Sequence, residues 1–181
     1  MEIERDDLAR LIDDDEAYFD AERPRVFDAS LLGAPAGVLQ PRRARILKRE
    51  ETVSDAVRAM QKEHRGVVLI TEDGSEQTPV VGVFTERDVL FRIVEGGRDP
   101  ATIALGEVMT VEPDCLGDEG TVADVLRLMS VGGFRHVPLV DDARRPIGVV
   151  SVRDVVDLLV EAFPAEIVAH GSDRQHEREG G

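Results

Sequence analysis

The sequence has a single cysteine, no apolar run long enough to span a membrane, and far fewer basic than acidic residues. Cys115 cannot form an internal disulfide, and with no second cysteine or clustered histidines nearby it cannot head a zinc site. It reads as a small, semi-buried residue at a strand start. No window approaches the ~18 consecutive apolar residues of a membrane span, and the first residues are acidic where a secretory signal is basic and then apolar. A soluble, cytoplasmic protein is expected. With 22 basic against 37 acidic residues, the net charge of −15 repels phosphate backbones, so duplex nucleic acid is not an expected partner. The one small basic cluster, Arg42, Arg43 and Arg45 after Pro41, lacks interleaved aromatics and reads as a solvated strand.

What is present is a hydrophobic fraction of 42%, enough for a packed core, and acid concentrated at one end. Met1 to Glu22 carries ten carboxylates against Arg5 and Arg10. Leu8, Leu11, Ile12 and Phe19 lie there on a roughly helical face, so residues 1–37 read as an acidic extension, partly helical or disordered. Residues 166–181, polar and Gly-ended, read as a disordered tail in which His170 and His176 are not at metal-binding spacing.

Between these ends the chain repeats itself. Val80 to Leu90 matches Pro146 to Val156 at an offset of 66 residues, and Thr52 to Met60 matches Thr121 to Met129 at an offset of 69. Arg65 to Ile70 pairs with Arg135 to Val140 at an offset of 70, which implies one extra residue in the second repeat before its hairpin. The first repeat then has the longer, acidic and Gly-containing hairpin loop. Each unit reads as a short strand, a helix with a Thr N-cap (Thr52 or Thr121), a β-hairpin and a second helix. Val67 to Ile70 and Val80 to Phe84 are β-branched runs suited to a covered sheet. The expected fold is α/β (α+β): two tandem βαββα repeats, residues 38–100 and 101–165, packed as a pseudo-twofold pair because neither unit buries enough surface alone. Met60 and Met129, at matching helix positions, are core fillers.

Both copies carry Gly-x-x-Thr/Ser-x-x-Asp: Gly82, Thr85, Asp88 and Gly148, Ser151, Asp154. A hydroxyl at a helix start lies beside free backbone N–H groups, where phosphate oxygens are favoured. Three residues on, an ionised Asp can accept from both hydroxyls of a cis-diol. The plainer alternative stays open: Thr85 and Ser151 as N-caps, Asp88 and Asp154 as first-turn acids. Arg87, Arg153, Arg65 and Arg135 stand where phosphate charge could be met, with Arg135 and Arg153 the leading anchors. His136 follows Arg135 in an alternating strand, so the two are expected on opposite faces, with His136 structural or solvent-facing.

Over about Val38 to Phe163 these two motifs, the Val108-Met109-Thr110 to Pro113 phrase and Gly133 to Val140 together resemble the CBS-domain family. The resemblance implies a regulatory, non-catalytic module of the bacterial stand-alone type. Its clefts would take an adenosyl nucleotide (AMP, ADP, ATP or S-adenosylmethionine) as a regulatory ligand, with no required cofactor. Asp88 and Asp154 would hold ribose, and Thr85 and Ser151 would lie near phosphate or ribose. Arg65, Arg87, Arg135 and Arg153 would meet phosphate, while Thr121, Val137 and Pro138 complete the expected set. The second cleft, around Ser151 and Asp154, is favoured because the acidic loop of the first repeat hinders phosphate. A homodimer and an unknown protein effector are also implied. The alternative is a protein-interaction scaffold with vestigial clefts. An enzyme is not expected, since neither Cys115 nor Ser151 has an identifiable base.

Overall fold

A computed structural model describes residues 29–162; the expected acidic extension (1–37) is described only from residue 29 on, and the expected polar tail (166–181) lies outside the described residues. Two 3-10 turns, Ala29–Gly33 and Ala36–Leu39, lead into the first repeat. It comprises β1 (Arg45–Lys48), α1 (Val53–Glu63), β2 (Val67–Thr71), β3 (Val80–Thr85) and α2 (Glu86–Asp88), which runs on as a π-helix over Val89–Val94. A short α3 (Leu105–Val108) and β4 (Thr110–Val111) follow. The second repeat then runs β5 (Leu116–Gly117), α4 (Val122–Val131), β6 (His136–Val140), β7 (Pro146–Ser151) and α5 (Val152–Ala162). The tandem βαββα architecture is therefore observed. Among the described residues no helix is long and apolar enough to cross a membrane.

Four of these helices begin on the same local device. Thr52 with Asp55, Thr85 with Asp88, Thr121 with Asp124, and Ser151 with Asp154 each place a hydroxyl and a carboxylate three residues apart. In each pair the hydroxyl accepts from the Asp backbone N–H while the carboxylate accepts from the N-cap backbone N–H. The first turn thus satisfies its own orphan donors, and α1 then buries Val53, Ala56 and Met60. β2 is buried along its length because Val68 and Ile70 enter the core of the first repeat while Val67 and Leu69 enter a cluster on the opposite face, whereas β3 alternates buried and half-buried positions.

The hydrogen-bond ladder corrects the alignment of the repeats. Val67 faces Thr85 and His136 faces Ser151, so Val67 is equivalent to His136 and Gly66 to Arg135, an offset of 69 rather than 70. Shared arginines had aligned Arg65 with Arg135; the ladder, fixed by which side chains enter the core, places Phe134 at the position of Arg65. No extra residue precedes the second hairpin, and only the hairpin loops differ in length.

The two repeats exchange backbone reciprocally. β4, which leads into β5, joins the edge of β3 through Gly82↔Val111 and Val83↔Thr110. Arg42, which leads into β1, bridges Val149 of β7 with N–H to carbonyl distances of 3.1 and 2.9 Å. These crossings explain the glycine of each motif by close approach. A Cβ on Gly82 would lie 2.3 Å from Met109 Sδ, and one on Gly148 would lie 3.0 Å from the Arg42 carbonyl oxygen. Each repeat has its own core, and Val67, Leu69, Val80, Val140 and Val149 form a third cluster between the two sheets. That third cluster is apolar surface neither unit could bury by itself.

Candidate functional site

A cleft of about 280 Å³ opens where the two repeats meet, and three chain segments converge on it. The β3–α2 turn contributes Thr85, Glu86, Arg87 and Asp88; the segment after β4 contributes Glu112, Pro113 and Asp114; the α4–β6 connection contributes Gly133, Phe134 and Arg135, continued by His136 and Pro138. The linker turns sharply at Glu112, which adopts a left-handed φ of 47° uncommon for a residue with a side chain. Val83, Pro113, Phe134 and Pro138 provide an apolar wall, and Thr85 and Thr110 provide hydroxyls.

Asp88 is held on two sides. One carboxylate oxygen accepts from the Thr85 N–H at 2.8 Å and the Thr85 hydroxyl at 2.7 Å; the other lies 3.1 Å from Arg92 Nε. Arg92 also donates to the Thr110 hydroxyl at 3.1 Å and to the Val108 carbonyl, tying the helix to the linker. Arg87 reaches across the repeats to the Gly133 carbonyl at 3.4 Å. Four carboxylates (Glu86, Asp88, Glu112, Asp114) and two guanidinium groups (Arg87, Arg135) thus line one opening. Burial pushes the His136 pKa down, a shift opposed by the nearby charges of Glu86 and Asp154 and assisted by Arg135, so its imidazole is held toward the neutral form. An apolar slot with hydroxyls, one oriented carboxylate and two guanidinium groups is suited to a small, partly aromatic ligand that carries hydroxyls.

The second motif is built differently. Asp154 is 6% exposed, and one of its oxygens accepts from the Ser151 N–H and hydroxyl, each at 2.7 Å. Its other oxygen lies 3.1 Å from Arg42 Nε, and the same guanidinium lies 3.8 Å from Asp157. Asp154 borders a separate depression of about 200 Å³ with Arg42, Asp157 and Glu161.

The expected site residues therefore divide. Thr85, Arg87, Asp88, Arg135 and Pro138 share the first cleft, while Ser151 and Asp154 sit apart with Arg42. Arg135 and Arg153, expected together, are separated: Arg153 is exposed and lies 3.8 Å from Asp157. Arg65 donates to the Arg43 carbonyl, Thr121 caps α4 and bridges Pro35, and Val137 is fully buried. Arg135 and His136 both line the cleft rather than opposite faces, because β6 begins only at His136 and Arg135 belongs to the preceding loop. Sequence reasoning passed over Thr110, Glu112, Asp114, Phe134 and His136 as site residues. It also passed over Arg92, whose spacing of four from Asp88 was a legible ion-pair signal, and Arg42, whose contact is wholly tertiary.

Cys115 is half-buried, and burial pushes its thiol pKa up, away from a nucleophilic thiolate. Among the described residues no group of three or more His, Cys, Asp or Glu is placed to hold a metal ion.

A model of the CBS domain matches residues 42–95 and 105–161. The chain is 33% identical over 120 residues to the mitochondrial CBS domain-containing protein CBSX3 of Arabidopsis thaliana, an overlap of 65% of this chain and 57% of that protein. It spans 57%, 13% and 54% of the first three curated relatives, so about half or less of their length. Among solved structures, a CBS domain protein from Pyrobaculum aerophilum complexed with AMP superposes with a TM-score of 0.60 at 24% identity, covering 66% of this chain and 88% of that one. The CBS domain pair of protein MJ0100, in complex with 5′-methylthioadenosine and S-adenosyl-L-methionine, gives a TM-score of 0.57 at 22% identity over 65% of this chain and 92% of that one.

Proposed function

Because the chain belongs to the CBS-domain family, with one repeat at residues 42–95 and the next at 105–161, we propose that it is a regulatory module that binds an adenosyl ligand in the cleft between its repeats. The observation that carries this reading is the convergence of both repeats on one opening, with Thr85 and Asp88 from the first meeting Phe134, Arg135 and His136 from the second. Asp88 accepts ribose hydroxyls, Phe134 and the proline wall pack the base, and Arg87 and Arg135 meet the charged tail. Solved CBS proteins carrying AMP, or 5′-methylthioadenosine and S-adenosylmethionine, support this ligand class. The sequence had favoured the second cleft; the geometry favours the first, where the oriented carboxylate borders the larger opening.

A ligand that bridges the repeats alters their relative arrangement only by its differential affinity for the alternatives. A partner protein reads that change. The chain is regulatory rather than catalytic in this proposal: the Thr85 hydroxyl and the Asp88 carboxylate, which meet at 2.7 Å, are both engaged in the capping box of α2. Leu90 and Val94 after α2 correspond to Val156 and Val160 on α5, and all four are exposed apolar side chains, as are the neighbouring Phe91 and Leu159. They favour self-association as a homodimer, which light scattering of wild type and a Phe91→Ser, Leu159→Ser variant tests.

Thermal shift with AMP, ADP, ATP and S-adenosylmethionine tests the ligand reading. At least one stabilises the protein, and Asp88→Asn abolishes the shift. No response to the whole panel refutes it and leaves a protein-interaction scaffold with unused clefts.

A further inference from the structure

We propose that Arg42 is an occupant of the second cleft supplied by the chain itself, so that each chain takes one adenosyl ligand rather than two. This rests on the adenosyl reading and adds the number of sites.

The inference follows from the pseudo-twofold equivalence. Thr110 is opposite Val83, and Arg42 bridges Val149, the counterpart of Val83; Arg42 therefore stands where Thr110 stands. Asp88 is met by Arg92, four residues along its own helix, whereas the matching position after Asp154 is Leu158. The two turns thus satisfy their aspartates from opposite directions. Asp88 is neutralised from its own helix, and the linker position in the cleft carries only the short hydroxyl of Thr110. Asp154 is neutralised from the linker, so a long guanidinium lies across the turn with Nε 3.1 Å from the carboxylate.

Arg42 is not loosely held. Its backbone makes two hydrogen bonds to Val149, at 3.1 and 2.9 Å, and Gly148 admits its carbonyl too closely for a side chain to intervene. A ribose approaching Asp154 must displace this pair from a carboxylate that is 5% exposed. Arg135 lines the first cleft, whereas the depression beside Asp154 is lined by no guanidinium other than that of Arg42. The aspartate, the hydroxyl and the arginine are all present in each motif; the route taken by the arginine decides which turn is free.

Isothermal titration calorimetry of the full chain with AMP, S-adenosylmethionine, ADP and ATP tests this. Wild type takes one equivalent. Arg42→Thr with Leu158→Arg transfers the arrangement of the first repeat to the second while keeping Asp154 paired, and takes two; should it fail to fold by circular dichroism, Arg42→Thr alone is held to the same count. Two equivalents in wild type overturn the inference, as does a folded variant that still takes one or loses binding, since Arg42 would then be idle or a ligand contact. Silence of the wild type toward AMP, S-adenosylmethionine, ADP and ATP alike overturns the adenosyl reading and this inference with it.

Discussion

Replacing Asp154 with alanine is expected to destabilise the protein by about 2–3 kcal/mol, a figure assembled from two losses. The carboxylate is the return arm of the α5 capping box, accepting from the Ser151 N–H and hydroxyl, each at 2.7 Å, and hydrogen bonds to a charged group contribute roughly 1.5–3 kcal/mol. It also forms an ion pair with Arg42, whose Nε lies 3.1 Å away, and an ion pair with an exposed partner adds about 0.2–1 kcal/mol. The lower end applies, because the Arg42 side chain is 53% exposed and rehydrates once its partner is gone. For a chain of this size the loss lowers Tm by about 5–10 °C. Urea unfolding followed by circular dichroism is the assay, since the chain has no tryptophan and one tyrosine. Ligand must be absent, because binding to the native state adds stability by mass action. Asp124→Ala is the internal control: Asp124 forms the same capping box on α4 but is more exposed and lies only 3.8 Å from Arg127. Asp154→Ala should lower the urea midpoint further than Asp124→Ala does. Equal midpoints would mean that burial and the Arg42 contact contribute nothing, and the reasoning about the second cleft would fail with them.

Gly82→Ala forces a Cβ to 2.3 Å from the sulfur of buried Met109 and is expected to cost about 1–3 kcal/mol by overpacking, measured by the same unfolding curves. Gly148→Ala meets the Arg42 carbonyl at 3.0 Å and Pro41 at 3.2 Å, so a smaller shift relieves it and a smaller loss is expected. His136 binds its proton less readily folded than unfolded, because burial disfavours the imidazolium. The unfolded chain therefore takes up the proton first as pH falls below about 6.5, and the contribution of His136 declines from there downward; His136→Gln should flatten that limb of the stability profile. The Asp55 carboxyl is held down at about 2 by the Thr52 hydroxyl, the Thr52 N–H and Arg58, and Asp73 is held at about 2 by Thr78 and Ser75. Their contributions are complete above the unfolded value of about 3.9 and disappear as pH falls toward 2, so Asp55→Asn should weaken the acid limb.

The sequence by itself determined what is local. A hydroxyl and a carboxylate three residues apart make a capping box from their own turn, so all four helix starts were legible, as were the β-branched central strands and the repeat itself. The same fact limits the motif. Thr52 to Asp55 and Thr121 to Asp124 form the identical box outside the first cleft, so Thr-x-x-Asp marks a helix start, and the preceding glycine marks where a linker crosses.

Only the tertiary structure decided which groups meet. Arg135 lines the cleft of Thr85 and Asp88 rather than joining Arg153 beside Ser151 and Asp154, because each half of that opening comes from a different repeat. The one-residue correction in register had the same origin: similar letters aligned Arg65 with Arg135, but cross-strand hydrogen bonds and the period of two aligned Gly66 with it. Arg42 looked like a solvated strand residue because nothing within its own segment needs it. Its partner lies more than a hundred residues away and is brought beside it by an exchange of strands that buries apolar surface between the sheets. Local hydrogen bonding is written in neighbouring residues; the pairing of distant charges follows from how two cores, each too small alone, pack into one.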